Sequence, residues 1–244
     1  MKNKTLWKQV GAAAIAAAMV MSTVPATPVQ AAGGKTLAVS SQKQLNQALK
    51  TVKGKNAVIT VKAGKNVKIT IPKGTYKVTI RVVGKKAAVV NNGTVKEIVV
   101  NSKGTVAIKN NGTIKKVTVQ NAKSVSFSGN HKKAVPVVVN AEDVSMILAA
   151  PAKITAKKDV NIVLKKGAEK SSITCTKNVQ AQVDNQTKKA ISVKIADGTT
   201  LKVESGESCT ITPKGKKEDT SGEDKTDGKD QKTDDTSDGN ASSG

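Results

Sequence analysis

The sequence predicts an all-β protein: a single parallel β-helix of about 19 residues per coil, with a short N-terminal capping helix and a disordered C-terminal tail. Three observations carry that expectation. The stretch "NNGTVKEIVVNSKGTVAIK" at 91–109 is followed without a gap by "NNGTIKKVTVQNAKSVSFS" at 110–128, so the chain repeats itself at a step of 19. Within each copy apolar residues alternate over short β-branched runs such as "EIVVN" and "TVAIK", which is a strand period and not a helical one. Gly, Asn and Lys separate the runs, and one such unit cannot bury its own apolar face, so stacking of successive units must supply the core.

The ends of the 244-residue chain differ from its middle. Residues 1–31 carry Lys2, Lys4 and Lys8, an apolar run from Val10 to about Met21, and small residues ending at Ala31, the pattern of a signal peptide cleaved after Ala31. That run falls short of the roughly 20 residues a membrane span needs, and no later segment is apolar enough to span. From Pro213 onward Ala241 is the only aliphatic residue, so 213–244 is expected to form a disordered tail.

The body divides into an N-terminal segment, 32–56, and the β-helix, 57–212. In the first, "SSQKQLNQALKTV" places Leu45, Ala48, Leu49 and Val52 at helical spacing, with Ser41 and Gln44 as a capping box and Gly54 as the stop. This helix would cover the open end of the core, where a ladder edge is otherwise exposed. In the second, Val95, Ile98, Val100, Val106 and Ile108 align at 19 with Ile114, Val117, Val119, Val125 and Phe127. The same step extends to Pro136, Val138, Val144 and Met146. After a shorter connection come Ile154, Ala156, Val160, Ile162 and Leu164, which 19 carries to Ile173, Cys175, Val179, Ala181 and Val183. Some eight coils at about 4.8 Å each would stack over roughly 40 Å. Asn92, Asn111 and Asn130 would share one corner, with Gly93 and Gly112 supplying positive φ there. Asn92-Gly-Thr94 and Asn111-Gly-Thr113 also match the glycosylation sequon, but a tripeptide recurring where the fold turns reads better as a corner.

The short helix, then "ITIPKGTYKVTI", then V-x-V coils with an Asn corner, resembles the pectin-lyase-like right-handed parallel β-helices. It resembles more closely the β-helical repeat segments of secreted or surface-layer-associated proteins of Gram-positive bacteria. The likeness covers about 36–212 and implies right-handed coils.

The catalytic groups that the family's enzymes use do not carry over. Lyases of that kind hold calcium with several acids and use a basic residue to take a proton, and the related hydrolases use clustered aspartates. Here nine acids are spread over the body, and Arg81, the only arginine, has none near it in sequence. His131, in "SGNHKK", has no Cys or second His at metal spacing and reads as a solvated loop residue. No cofactor motif stands out, and no metal site is assigned. The weak candidate is Asp143 and Asp159, at the same place in consecutive coils, with Glu142 adjacent, where two carboxylates about 5 Å apart would suit Ca²⁺. Against it, Lys157 and Lys158 would neutralise them as surface pairs. Cys175 aligns with inward Ala156 and Cys209 falls about two coils on, nearly 10 Å and beyond disulfide reach, so both are expected as buried thiols.

The charge carries the functional expectation. The body holds 32 bases and nine acids, a net +23 built almost wholly of lysine. Lys77, Lys96 and Lys115 recur at 19 and would form a column, with other lysines, Lys103, Lys116 and Lys123 among them, crowding the same turns and faces. Like charges about 5 Å apart repel by about 0.8 kcal/mol even at the dielectric of water, so stacking them costs stability. Two explanations compete: lysines that keep exposed strands from aggregating, and a track for a polyanion that gains by counterion release. The size of the net charge favours the polyanion. Beyond the N-terminal 31 residues the only aromatics are Tyr76 and Phe127, and Phe127 is inward in register, so bases and sugar rings have no stacking platform. Lysine without arginine gives point charges without bidentate geometry. The expected protein is a secreted, extracellular or cell-wall-associated, non-enzymatic binder of teichoic acid, acidic polysaccharide or, non-specifically, extracellular DNA. A β-helix lyase or hydrolase of acidic glycans is the alternative from another class, and a structural spacer is a third.

Overall fold

The structure is a computed structural model and describes residues 35–62, 67–212 and 217–219. The expected signal peptide and most of the expected tail lie outside the described residues. In chain order the elements begin β1 (Lys35–Val39), α1 (Gln42–Thr51), β2 (Ala57–Lys62), β3 (Val67–Ile71), β4 (Thr75–Val83), β5 (Lys86–Asn91), β6 (Thr94–Asn101) and β7 (Thr105–Asn110). They continue β8 (Thr113–Ile114), β9 (Val117–Asn121), β10 (Ser124–Ser128), β11 (Val135–Val139), β12 (Val144–Ala149), β13 (Ala152–Ala156) and β14 (Val160–Leu164). The last are β15 (Ser172–Cys175), β16 (Ala181–Asn185), β17 (Ile191–Lys194), β18 (Thr200–Val203), β19 (Ser208–Ile211) and β20 (Lys217–Asp219).

From β2 to β17 the strands pass back and forth between two sheets, β8 and β9 lying in the same one, and each pairs in parallel with its counterpart in the neighbouring coil. The first sheet runs β1-β2-β4-β6-β9-β11-β13-β15-β17-β18, with β8 beside β6, and the second runs β3-β5-β7-β10-β12-β14-β16-β19-β20. This is a parallel β-solenoid of about eight turns with about 19 residues per turn, as the repeat predicts. Side chains alternate inward and outward. Inward columns run coil to coil, for example Ile59, Ile80, Ile98, Val117, Val137, Ile154, Ile173 and Val193 in the first sheet. All eight are at most 2% exposed. Burying a side chain of this size contributes about 1.5–3 kcal/mol, which is why a chain so poor in aromatics can still hold a core.

The helix forms as expected, with Leu45, Ala48, Leu49 and Val52 buried over the first coils. Ser41 caps it, accepting from the Gln44 N–H. The Gln44 side chain reaches one residue further back than a capping box requires, accepting from the Ser40 N–H at 2.7 Å. The 32–56 segment also holds an unforeseen strand, β1, which pairs in parallel with β2.

The step is 19 only where the turns keep one length: Ala87, Val106 and Val125 stack in register, as do Ile98 and Val117. The loop at 129–134 adds a residue, so Val117 pairs with Val137 and not Pro136; the turn before β12 adds a second, so Val125 pairs with Met146 and not Val144. Pro136 therefore points outward and is exposed, and Val138 is half-buried on the outer face. Later, Ile162 pairs with Val183, two residues beyond the position a strict 19 assigns.

The C-terminal end reverses direction. The pairs β17–β18, β16–β19 and β19–β20 are antiparallel, so the last strands fold back. Three residues of the segment expected to be disordered, Lys217–Asp219, form β20. Cys209 accordingly lies opposite Val183, one coil from Cys175 and not two. Both sulfurs are buried, as expected.

The asparagine corner exists, with a different membership and a different use of glycine. Asn111 donates to Asn92 Oδ1 at 3.0 Å on the surface, and beneath them Asn91 donates to Asn110 Oδ1 at 2.8 Å with both side chains fully buried. Asn130 is exposed and Gly129 follows Asn110 in the ladder. Gly93 and Gly112 are not among the residues with positive φ. They are needed because coils approach closely: a Cβ on Gly112 would stand 2.1 Å from the Gly93 carbonyl oxygen.

Candidate functional site

Alternation decides where charge can go. Inward positions are apolar, and the outer faces of both sheets are filled mainly by small or β-branched residues. In the second sheet one outer row is Lys86, Thr105, Ser124, Ser145, Asn161, Gln182 and Thr210. In the first sheet one outer row is Thr60, Arg81, Val99, Thr118, Val138, Thr155 and Thr174. The lysines are thus concentrated at the bends, where the chain leaves one strand for the next and side chains spread into solvent.

Lys77 and Lys96 lie within β4 and β6, where each strand turns into the first sheet, and Lys115 lies in the matching gap between β8 and β9. In these coils a short third side, Tyr76–Val95–Ile114, precedes the first sheet. The three lysines follow those residues directly, and all are exposed. The stack is not perfectly regular, because β4 bulges: Tyr76 pairs with Val95 and Thr79 with Glu97, so Lys77 and Val78 together oppose Lys96. Lys115 follows Lys96 more squarely, its N–H donating to the Val95 carbonyl.

Lys116 does not join this column as an unpaired charge. Its ammonium lies 3.7 Å from Glu97, whose carboxylate also accepts from the Thr118 hydroxyl at 2.6 Å. Lys103 and Lys123 do not share the column's bend as expected; they sit on a different one, between the first sheet and the second, because they follow the first-sheet strand where the column precedes it. There Lys85, Gly104 and Lys123 share a register position, with Lys103 beside them: the Lys85 carbonyl accepts from Thr105 and the Gly104 carbonyl from Lys123. Sequence reasoning missed Lys85 because its distance to Lys103 is 18 and from there to Lys123 is 20, off the repeat step.

The acids are segregated. Between 35 and 141 Glu97 is the only one, and the other eight of the body begin at Glu142. The first half of the solenoid therefore presents two lysine-lined bends with one compensating carboxylate. At the fifth coil, between β11 and β12, the second bend changes sign, where Glu142 and Asp143 take the turn.

The weak cation candidate is partly assembled. Asp143 and Asp159 are neighbours, the Asp143 N–H donating to the Asp159 carbonyl at 3.0 Å. With Asn161, Gln180, Gln182 and Thr210 they line a groove of about 270 Å³. One oxygen of Asp159 is taken by the Gln180 N–H at 2.8 Å. Glu142 instead pairs with Lys158 at 2.8 Å, and that hydrogen bond, followed by the charge, holds its carboxyl below the ordinary range. Among the described residues no three His, Cys, Asp or Glu side chains come together.

His131 is not a solvated loop residue. Its Nδ1 lies 3.2 Å from the Asn110 carbonyl and its Nε2 3.0 Å from the Pro151 carbonyl, one coil to either side. Its ring stands edge-on to Phe127 with centroids 5.2 Å apart. It ties three successive coils at the corner where the asparagine ladder stops.

No family model, no curated protein and no solved structure matches the chain.

Proposed function

We propose that this is a non-enzymatic, secreted protein of the cell envelope or extracellular matrix that holds anionic polymers along its lysine-lined bends. The observation that carries the reading is the segregation of charge: Lys77, Lys96 and Lys115 on one bend and Lys85, Lys103 and Lys123 on another, with Glu97 the sole acid across that half. Lysines stacked about 5 Å apart repel one another, and a bound polyanion relieves that repulsion while releasing counterions. The small, flat outer faces between the bends leave room for a chain to lie along the coils. Without aromatic platforms or arginine forks, the binding is multivalent, salt-sensitive and tolerant of polymer type. Acyclic polyol phosphates of the teichoic acid kind suit it best, since they offer regular charge and no ring to stack. Secretion rests on the signal-peptide pattern of residues 1–31.

The test is binding of purified teichoic acid and of polygalacturonate at 50 and 200 mM salt, with Lys77→Gln/Lys96→Gln/Lys115→Gln alongside. Wild-type protein should lose affinity steeply with salt and leave both polymers intact, and the triple variant should bind more weakly with a flatter salt slope. Salt-independent binding would sink the reading, and release of unsaturated oligouronides would put a lyase in its place.

A further inference from the structure

The third side of the solenoid ends abruptly, and the step it leaves is a pocket. Among the described residues β8 pairs only with β6, so its opposite edge, Thr113–Ile114, has no strand beyond it. In the next coil the loop 129–134 crosses that place before β11 begins. Between them lies a cavity of about 300 Å³ lined by Ile114, Ala134 and Val135 on the apolar side and by His131, Lys132 and Lys133 on the polar side. Lys132 and Lys133 are exposed. Asn110 also lines it, and although its side chain is fully buried its Nδ2 has no hydrogen-bond partner. A neutral imidazole donates through one nitrogen only, so one of the two carbonyls accepts from His131, and that bond with the edge-on Phe127 ring sets the side chain in the wall of the cavity.

Its position matters as much as its lining. Lys115, the last member of the Lys77–Lys96–Lys115 column, directly follows Ile114 in the chain, so the column leads down to the step. We propose that the pocket is the end-stop of that track and seats one oxyanion carried by the bound polymer, a phosphate or a carboxylate. Lys132 and Lys133 face the charge, and the attached carbon chain lies against Ile114 and Val135. This rests on the polyanion reading for its source of ligand but not for its test. A pocket that accepts a single oxyanion gives the otherwise unselective lysine column a fixed register.

The experiment titrates inorganic phosphate, and separately acetate, into the full protein at fixed pH and ionic strength, following the His131 ring and Ile114 methyl resonances. Saturable shifts with either probe are expected, and the two arms tell which oxyanion the pocket takes. Lys132→Gln/Lys133→Gln should weaken saturation at least tenfold. Shifts that stay linear for both probes, or that saturate equally in the Lys132/Lys133 variant, overturn the pocket. Saturation without any polymer binding would keep the pocket and remove the track, and polymer binding without saturation would do the reverse.

Discussion

The side-chain amide of Gln42 pairs with the backbone of Thr70 as if it were a residue of a neighbouring strand. Its Oε1 accepts from the Thr70 N–H at 2.7 Å and its Nε2 donates to the Thr70 carbonyl at 2.8 Å. The second amide hydrogen is taken by Asn46 at 2.8 Å, which fixes the orientation. Thr70 lies in β3, the last strand at that end of the second sheet, so its outward-facing groups would otherwise be a template for another chain. The first turn of α1 thus does more than cover apolar side chains, because it also closes part of the ladder.

Replacing Gln42 with Ala should therefore cost about 1–3 kcal/mol, the sum of two modest hydrogen bonds and the exposure of their partners. Gln42→Glu should be nearly as harmful, since a carboxylate keeps the acceptor for the Thr70 N–H but faces the Thr70 carbonyl without a donor. Urea unfolding measures the first effect. Light scattering on gentle warming should show earlier self-association in both variants, and an unchanged midpoint would show that the edge needs no such closure.

Gly112 offers a way to separate close approach from backbone conformation. A Cβ there meets the Gly93 carbonyl at 2.1 Å, with no positive φ involved, whereas Gly54 has φ +74 and open space around it. Gly54→Ala should cost about 1 kcal/mol, the left-handed penalty alone. Gly112→Ala must push two coils apart and should cost several times more, read from thermal or urea midpoints. Equal losses would mean that coil spacing at this corner is soft.

The two corners show what the sequence made legible and what it hid. The coil architecture, the capping helix and the inward set from Val95 to Phe127 followed from an uninterrupted step and clean alternation. The phase failed at "VPVVV", because a run that is apolar at every position does not say which residues face inward, and a slip of one exchanges the faces. Only the length of the preceding loop decides it, and that loop has no counterpart in the repeat. His131 was misread for a related reason: its partners are backbone carbonyls about 20 residues away on either side, which leave no mark in residue identity. The lysine columns were visible where the step was 19, while Lys85, Lys132 and Lys133 lay outside it. The reversal of β18 and β19 was hidden too, since antiparallel and parallel strands share one alternation.

Cys175 supplies a pH test. Burial first, and the neighbouring Cys209 second, push its thiol from an ordinary value near 9 up to about 11. The folded protein therefore retains a proton that the unfolded chain has lost between about pH 9 and 11. Stability linked to this group is full below pH 9 and declines as pH rises through that window, by at most about 2–3 kcal/mol. Because lysines also titrate there, the measurement is the difference in guanidinium midpoint between wild type and Cys175→Ala at pH 8 and at pH 10.5. The difference should shift against wild type at the higher pH. Iodoacetamide should label the native thiol far more slowly than the unfolded one at pH 8, and rapid native labelling would show that the last coils open.

The charge asymmetry should also appear in the stability of the protein by itself, with no ligand present. Each contact between neighbouring lysines at about 5 Å opposes folding by about 0.8 kcal/mol before screening, and the Debye length falls from about 30 Å at 0.01 M salt to about 10 Å at 0.1 M. Adding sodium chloride over that range should raise the melting temperature, the opposite of what a protein held by surface ion pairs would do. Lys77→Gln/Lys96→Gln/Lys115→Gln should start from a higher melting temperature at low salt and respond less. Glu97→Gln should move the other way, since it removes the one carboxylate that faces Lys116 and accepts from Thr118. If melting were insensitive to salt in all three proteins, the lysines would be too far apart or too mobile to feel one another, and a bound polymer would have no stored repulsion to relieve.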